Sequence, residues 1–224
     1  MNILGVDVQA ITEEAILRET LEVFQVKKNL RIATVNPEYL LAEQGNAQFR
    51  ESLQNADIRT VDGVGIQWVA WCRGVCLPRV TGADLLVALL ALAESHSIPV
   101  VIYNKKESLS SETDIERALH QHYPKLLVTY NTKPLTYSLI LCTYGAPEQE
   151  LFLDTLETAG IKIGIGGALD YLTGKQKRAP RVLRGLGLEW LWRLILQPKR
   201  LGRIWNAVIV FPICVLFATI KKSH

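Results

Sequence analysis

The sequence predicts an α/β protein: a mostly parallel, Rossmann-like sheet flanked by helices, with a basic, apolar C-terminal helical appendage. Three observations predict it. Short β-branched runs alternate with helical patterns through most of the chain, which is the rhythm of a doubly wound sheet. With 224 residues, 49% hydrophobic and 21% charged, the chain can bury one large core and still carry an appendage. Charge is unevenly divided. From Lys175 onward eleven Lys or Arg face one acid, Glu189, so residues 175–224 carry +10 and residues 1–174 carry −7 within a net +3. The expected domains are therefore 1–174, the α/β body, and 175–224, the appendage.

The body reads as follows. An aliphatic run over 3–6 is the first strand, and Thr12 followed by Glu14 starts a helix over 12–24. Strand 31–35 leads to Asn36 and Pro37, a cap and a first helical residue, which open a helix over 37–44. Strand 58–61 runs into "TVDGVGIQW", where Asp62 and two glycines precede a helix over 63–72. Thr81 is placed to cap a helix over 83–95, and strand 99–103, helix 112–122 and strand 126–130 follow. Only "NTKPLTY" separates strand 126–130 from strand 139–143. A parallel crossover normally needs a dozen residues or more, so this pair is expected to be an antiparallel hairpin. A helix over 147–156 and a strand over 162–165 complete the body.

Composition narrows the classes of function. Cys72, Cys76, Cys142 and Cys214 lack the spacing and nearby histidines of a zinc site, and reduced core cysteines are the simpler reading. The N-terminal stretch reaches acidic residues at once, so no secretion signal is expected. A basic tail suits a polyanion or a membrane surface, and this one interleaves Trp190, Trp192 and Trp205 with aliphatics. That mixture favours an anionic membrane over nucleic acid. The run 204–220 is uncharged but short for a span, and Pro212 interrupts it, so an interfacial or re-entrant segment is expected. The alternative is a helix that folds back onto the domain or a partner subunit.

Ligands of such sheets collect at the carboxyl ends of the strands. There the sequence places Thr34 and Asn36, then Asp62, then Arg79 in "LPRVTGAD", Gln149 in "TYGAPEQE", and Gly166 and Gly167 in "GIGGALDYLTG". Each has a plain structural reading. Asp62, Asn36 and Thr81 suit helix caps, and the glycines suit turns. No complete dinucleotide glycine motif, P-loop, nucleophile elbow or acidic metal pair is present.

The blocks "TVNPEYL", "TVDGVGIQW", "RVTGADLL", "GAPEQE", "GIGGALDYLTGKQKRAP" and "LGLEWLWRLILQPKR", in this order, resemble the TagA/WecG/CpsF family of bacterial glycosyltransferases along nearly the whole chain. The resemblance implies an inverting transferase at the cytoplasmic face of the bacterial cell membrane, peripheral or monotopic. It would move an N-acetylmannosamine-type sugar from a UDP donor to an N-acetylglucosaminyl-diphosphate polyprenol, with no metal and no cofactor. Asp62 would be the base, Thr34 and Asn36 would line the sugar site, Arg79 would meet diphosphate, and Gln149 would complete the pocket. Arg178, Arg193 and N–H groups at Gly166 and Gly167 would share the leaving-group charge. Homo-oligomers are compatible with this. Two departures stand out: Tyr103 and Asn104 replace the family's glycines after the fourth strand, and residues 131–137 replace a longer insertion. Tyr103 would then stack on a base or block it. The second reading is a non-catalytic homologue that binds polyprenol lipid or acts as a scaffold.

Overall fold

The computed structural model describes residues 1–134 and 136–222, with side chains described as far as Thr219. Leu135 of the 131–137 connection and the last two residues lie outside the described residues, as does the side chain of Ile220. The chain opens with an antiparallel hairpin of β1 (Asn2–Ile3) and β2 (Val6–Asp7). Leu4 and Gly5 take positive φ, 51° and 101°, and reverse the chain in two residues. The strand expected over 3–6 is thus split, and it lies outside the main sheet.

Among the described residues the main sheet has six strands in the order β4-β3-β8-β7-β5-β6, every neighbouring pair parallel. They are β3 (Leu30–Val35), β4 (Ile58–Val61), β5 (Val100–Tyr103), β6 (Val128–Tyr130), β7 (Ser138–Cys142) and β8 (Gly160–Gly164). The expected antiparallel hairpin is absent. β6 and β7 flank β5 on opposite sides, each parallel to it. Seven extended residues reach about 23–25 Å. That suffices to run back along a four-residue strand of about 13 Å without a crossover helix.

Helices fill the connections. α1 (Glu13–Gln25) is capped by Thr12, α2 (Pro37–Ala42) by Asn36 and α3 (Ala47–Gln54) by Asn46, each side chain accepting a backbone N–H. α3 was not expected. α4 (Val64–Cys72) has no side-chain cap, while Thr81 caps α5 (Gly82–Ser95) and Ser111 caps α6 (Glu112–His122). α7 (Glu148–Thr155) and α8 (Leu169–Leu172) follow, then α9 (Arg181–Gly185) and α10 (Glu189–Leu196) of the tail. One apolar layer joins the sheet to α1, α5 and α6 through residues such as Ile16, Leu86, Leu89 and Ile115. The other joins it to α2, α3 and α4 and also takes in Phe211 and Val215 of the tail. Of the cysteines, Cys142 is buried, Cys214 is half-buried, and Cys72 and Cys76 are exposed, contrary to the core reading of all four.

The tail ends in a helix continuous from Pro198 to Thr219, 22 residues long and apolar enough to cross a membrane by length and composition. It comprises α11 (Leu201–Trp205), a π-helical turn at Asn206–Val210 and α12 (Phe211–Lys222) after one short 3-10 turn. Pro212 does not break it. Proline offers no N–H to the preceding turn, and the wider π register just before it carries the helix past that missing donor. Phe211 and Val215 pack the helix onto the body, whereas only 11% of its most apolar window is buried. The helix folds back on the body along one face, as the alternative expectation has it, and its other face stays apolar and open, which is compatible with an interfacial segment.

A buried polar network pins β3 to α7. Arg31 Nη2 donates to Glu150 Oε2 at 3.1 Å, to the Glu150 carbonyl at 2.9 Å and to Ser52 Oγ at 2.8 Å. Glu150 is fully buried, so Glu150→Ala leaves the Arg31 charge without that partner. The expected cost is about 3–5 kcal/mol, read as a lowered urea midpoint. A loss under about 1 kcal/mol would show that Asp154, which also pairs with Arg31, suffices alone.

Candidate active site

Asp62 follows β4 at the carboxyl edge of the sheet, and its backbone N–H donates to the Val35 carbonyl at 2.7 Å. Its carboxylate does not cap the helix it precedes. The cap of α4 is Gly63, with φ 137° and no side-chain hydrogen bond. Asp62 instead accepts the Gly82 N–H at 3.1 Å through Oδ2, at the start of α5. Gly82 makes this approach roomy: a Cβ there would sit 3.3 Å from Thr34 Oγ1, a tight contact, and 3.7 Å from Asp62 Oδ2. Oδ1 has no hydrogen-bond partner among the described residues. Burial raises the Asp62 pKa from its ordinary value, against the lowering effects of the Gly82 N–H, Arg193 and Arg79. The carboxylate is enclosed by protein on most sides yet remains partly open to a cleft.

The cleft has two lobes that meet at Asn36, Glu38, Asp62 and Arg193. One, of about 150 Å³, is walled partly by apolar groups: Pro37, Val64, Trp190, Ile204 and Ala207. The other, of about 210 Å³, is more polar and is lined by Thr34, Tyr39, Gln149, Gly166, Gly167 and Tyr171. Asn36 serves as a cap, its Oδ1 accepting the Tyr39 N–H at 3.0 Å, and it still lines both lobes. Arg79 lines the first lobe and is steadied by the Arg184 carbonyl at 2.8 Å.

The tail supplies the roof. Arg193, Arg200 and Arg203 line both lobes. Arg193 pairs with Glu189 at 2.9 Å, and Arg203 pairs with Glu38 at 2.5 Å. No carboxylate of the described residues forms an ion pair with Arg200. Its pKa is lowered, first by burial and then by the neighbouring Arg203 and Arg193. Arg178, by contrast, lies outside both lobes and is held by Asp84 at 2.7 Å and Thr81 Oγ1 at 3.3 Å. The sequence singled out Arg178 and Arg193 and passed over Arg200, Arg203 and Glu38.

Gln149 is a clamp. Its Oε1 accepts the N–H groups of Gly145 at 3.1 Å and Gly166 at 3.0 Å, while Nε2 donates to Tyr39 Oη at 2.6 Å and Glu150 Oε1 at 3.1 Å. The Gly166 N–H expected to face the leaving group is therefore already engaged. Tyr103 lies away from the cleft, its hydroxyl donating to the Thr132 carbonyl at 2.9 Å and its ring against Phe152 at 4.7 Å. Asn104 braces the loop after β5: Nδ2 donates to the Ser110 carbonyl at 3.2 Å and Oδ1 accepts from Thr143 Oγ1 at 2.9 Å. A crevice lined by Asn104, Lys105, Ser110, Thr143 and Asp170 adjoins the polar lobe through the shared Gly166 and Gly167.

A family model described as "Glycosyl transferase WecG/TagA/CpsF family" matches residues 1–224, the full chain. The chain belongs to that family. Membership makes this a glycosyltransferase of cell-envelope polysaccharide synthesis, of a membrane-associated type, whose reaction in general terms joins a nucleotide-sugar donor to a lipid-linked sugar acceptor. A half-buried carboxylate beside three arginines is chemically able to take up a proton, and the arginines to hold an anion such as phosphate. Among the described residues no group of three or more His, Cys, Asp or Glu is gathered to hold a metal ion.

Proposed function

We propose that the chain is an inverting transferase that moves an N-acetylmannosamine-type sugar from UDP to an N-acetylglucosaminyl-diphosphate polyprenol, with Asp62 as general base. The observation that carries this reading is the setting of Asp62: one oxygen held by Gly82, the other without a hydrogen-bond partner among the described residues, at the seam of two lobes roofed by arginines. The acceptor hydroxyl attacks the anomeric carbon, Asp62 takes its proton, and the bond from that carbon to the UDP oxygen breaks with its electron pair leaving on the diphosphate. Partial burial raises the basicity of Asp62, which suits proton abstraction near neutral pH. The polar lobe suits the donor sugar, with Thr34 and Asn36 beside it and the nucleotide reaching past Gly166 and Gly167 toward Asn104. The more apolar lobe suits the acceptor, its diphosphate near Arg79 and the end of its polyprenyl chain near Trp190 and Ile204.

Arg193, Arg200 and Arg203 are the groups best situated to take up the leaving-group charge. The Arg203–Glu38 pair is largely exposed, and such pairs contribute little, so a diphosphate that bonds Arg203 more strongly can displace Glu38. Tyr103 lies outside the cleft, so of the two departures behind the non-catalytic reading only the short 131–137 connection still speaks for it. The test is incubation with a panel of UDP-sugars and a GlcNAc-diphosphate lipid, followed by mass analysis. One added N-acetylhexosamine residue is expected, and no transfer from any donor would reject the reading. Because arginines carry the phosphate charge, transfer is expected to persist in excess EDTA. Loss in EDTA and rescue by Mg²⁺ or Mn²⁺ would overturn that part.

A further inference from the structure

Helix α4 buries Ile66, Val69 and Ala70 against the sheet, the side its position in the fold requires. Its other side is apolar too. Trp68 and Trp71 are 64% and 72% exposed, and Val75, just past the helix, is also exposed. Val64, Trp68 and Trp71 recur at spacings of four and three, which places them along one stripe of α4, and Val75 lies beyond the turn that ends it. A helix that is apolar all round belongs in a core or against lipid, and two outward tryptophans on one short helix need a partner.

The surroundings indicate which partner. The stripe begins at Val64 in the wall of the apolar lobe, and a side chain at Gly187 would collide with Val64, so the tail backbone sits directly on this end of α4. The tail helix lies alongside. A Cβ at Gly65 would meet the Ala207 carbonyl and the Phe211 ring, and Arg73 Nη2 donates to Thr219 Oγ1 at 3.1 Å. That helix exposes Trp205, Ile209, Ile213, Leu216 and Phe217. The stripe thus lies on the helix against which the tail helix packs, and among the described residues that tail helix is the one long and apolar enough to cross a bilayer, with Arg73 bonded to it. Tryptophan with a flanking arginine is the composition of a lipid–water boundary.

We propose that Trp68 and Trp71 enter the bilayer interface together with the tail helix, making α4 a second membrane contact supplied by the catalytic body. The inference rests on the tail helix meeting the bilayer. Its consequence is geometric: the apolar lobe opens at the membrane surface, so a polyprenyl acceptor reaches Asp62 with its hydrocarbon still in lipid.

The test uses the full chain with vesicles of phosphatidylcholine and a minority of phosphatidylglycerol. A variant with Trp190, Trp192 and Trp205 changed to Phe keeps Trp68 and Trp71 as its only tryptophans. Its emission is expected to shift to the blue on vesicle addition and to be quenched by lipids brominated near the headgroup. Independently, Trp68→Ser/Trp71→Ser is expected to lower vesicle partitioning about tenfold or more, from the apolar area withdrawn from lipid, while turnover on a short, water-soluble acceptor stays at the wild-type level. Vesicle binding with unchanged Trp68/Trp71 emission, and unaltered partitioning of the double variant, would overturn the inference and leave the tail as sole anchor. A lipid-free dimer that the double variant loses would overturn it in favour of a second copy of the chain. Failure of the intact chain to bind vesicles would remove the tail's membrane role and this inference with it.

Discussion

Asp62→Asn is expected to retain the fold and donor binding and to lower kcat on the order of 10²-fold or more, the usual weight of a general base. The structure sharpens the comparison with a capping role. Asp62 caps nothing on α4, and an Asn at this position can still accept the Gly82 N–H, so the change removes basicity and little else. Stability moves the opposite way from activity. Burial raises the Asp62 pKa in the folded chain, so ionisation opposes folding once pH exceeds the unfolded value of about 3.9. That cost is complete above the raised folded pKa. The variant should therefore be somewhat more stable than wild type at neutral pH, with the gain fading as pH falls through the raised folded value and gone below the unfolded one. The rising limb of the pH–rate profile should vanish in the variant. Near wild-type turnover would end the assignment of Asp62 as base.

Arg200→Ala is expected to lower turnover on a soluble acceptor by about 10²-fold, comparable to loss of one preorganised donor to a developing oxyanion. Arg200 lines both lobes without a carboxylate ion pair among the described residues, and Arg193 and Arg203 crowd it. A diphosphate relieves that crowding, so UDP should bind wild type more tightly than the variant, by calorimetry. Arg178→Ala tests the contrast. It breaks the pair with Asp84 outside the cleft and should alter stability while leaving UDP affinity nearly unchanged. Equal losses in the two variants would show that the roof acts as a general positive field, with no single arginine placed on the phosphate.

Much of the fold was legible because it is local. Strand 58–61, the Asn36–Pro37 helix start and the Thr81 cap each follow from a few neighbouring residues, and each stands in the structure. Helix α3 was equally legible in principle, since Asn46 caps it and Phe49 and Leu53 bury one face. Strands β6 and β7, which the short connection led one to pair with each other, flank β5 instead, because a length rule for helical crossovers does not bind a seven-residue link that has only one short strand to pass. The site divides in the same way. Strand-end positions marked Thr34, Asn36 and Asp62, whereas the function of Gln149 as a clamp depends on Tyr39, more than a hundred residues away in sequence. Which arginines face the cleft depends on how the tail folds back. Arg200 and Arg203 lie on the helix whose path is set by Phe211 and Val215 packing on the body, and no spacing within the tail contains that information.

The central claim is a single displacement at the anomeric carbon with Asp62 taking the acceptor proton. Nuclear magnetic resonance of the product's anomeric centre, recorded on material formed by the wild-type chain from one defined UDP-sugar, tests it most directly. The account predicts a new glycosidic bond of configuration opposite to that of the donor, and no glycosyl adduct on Asp62 by mass analysis of the trapped protein. A product that keeps the donor's configuration, or a sugar covalently attached to Asp62, would contradict it.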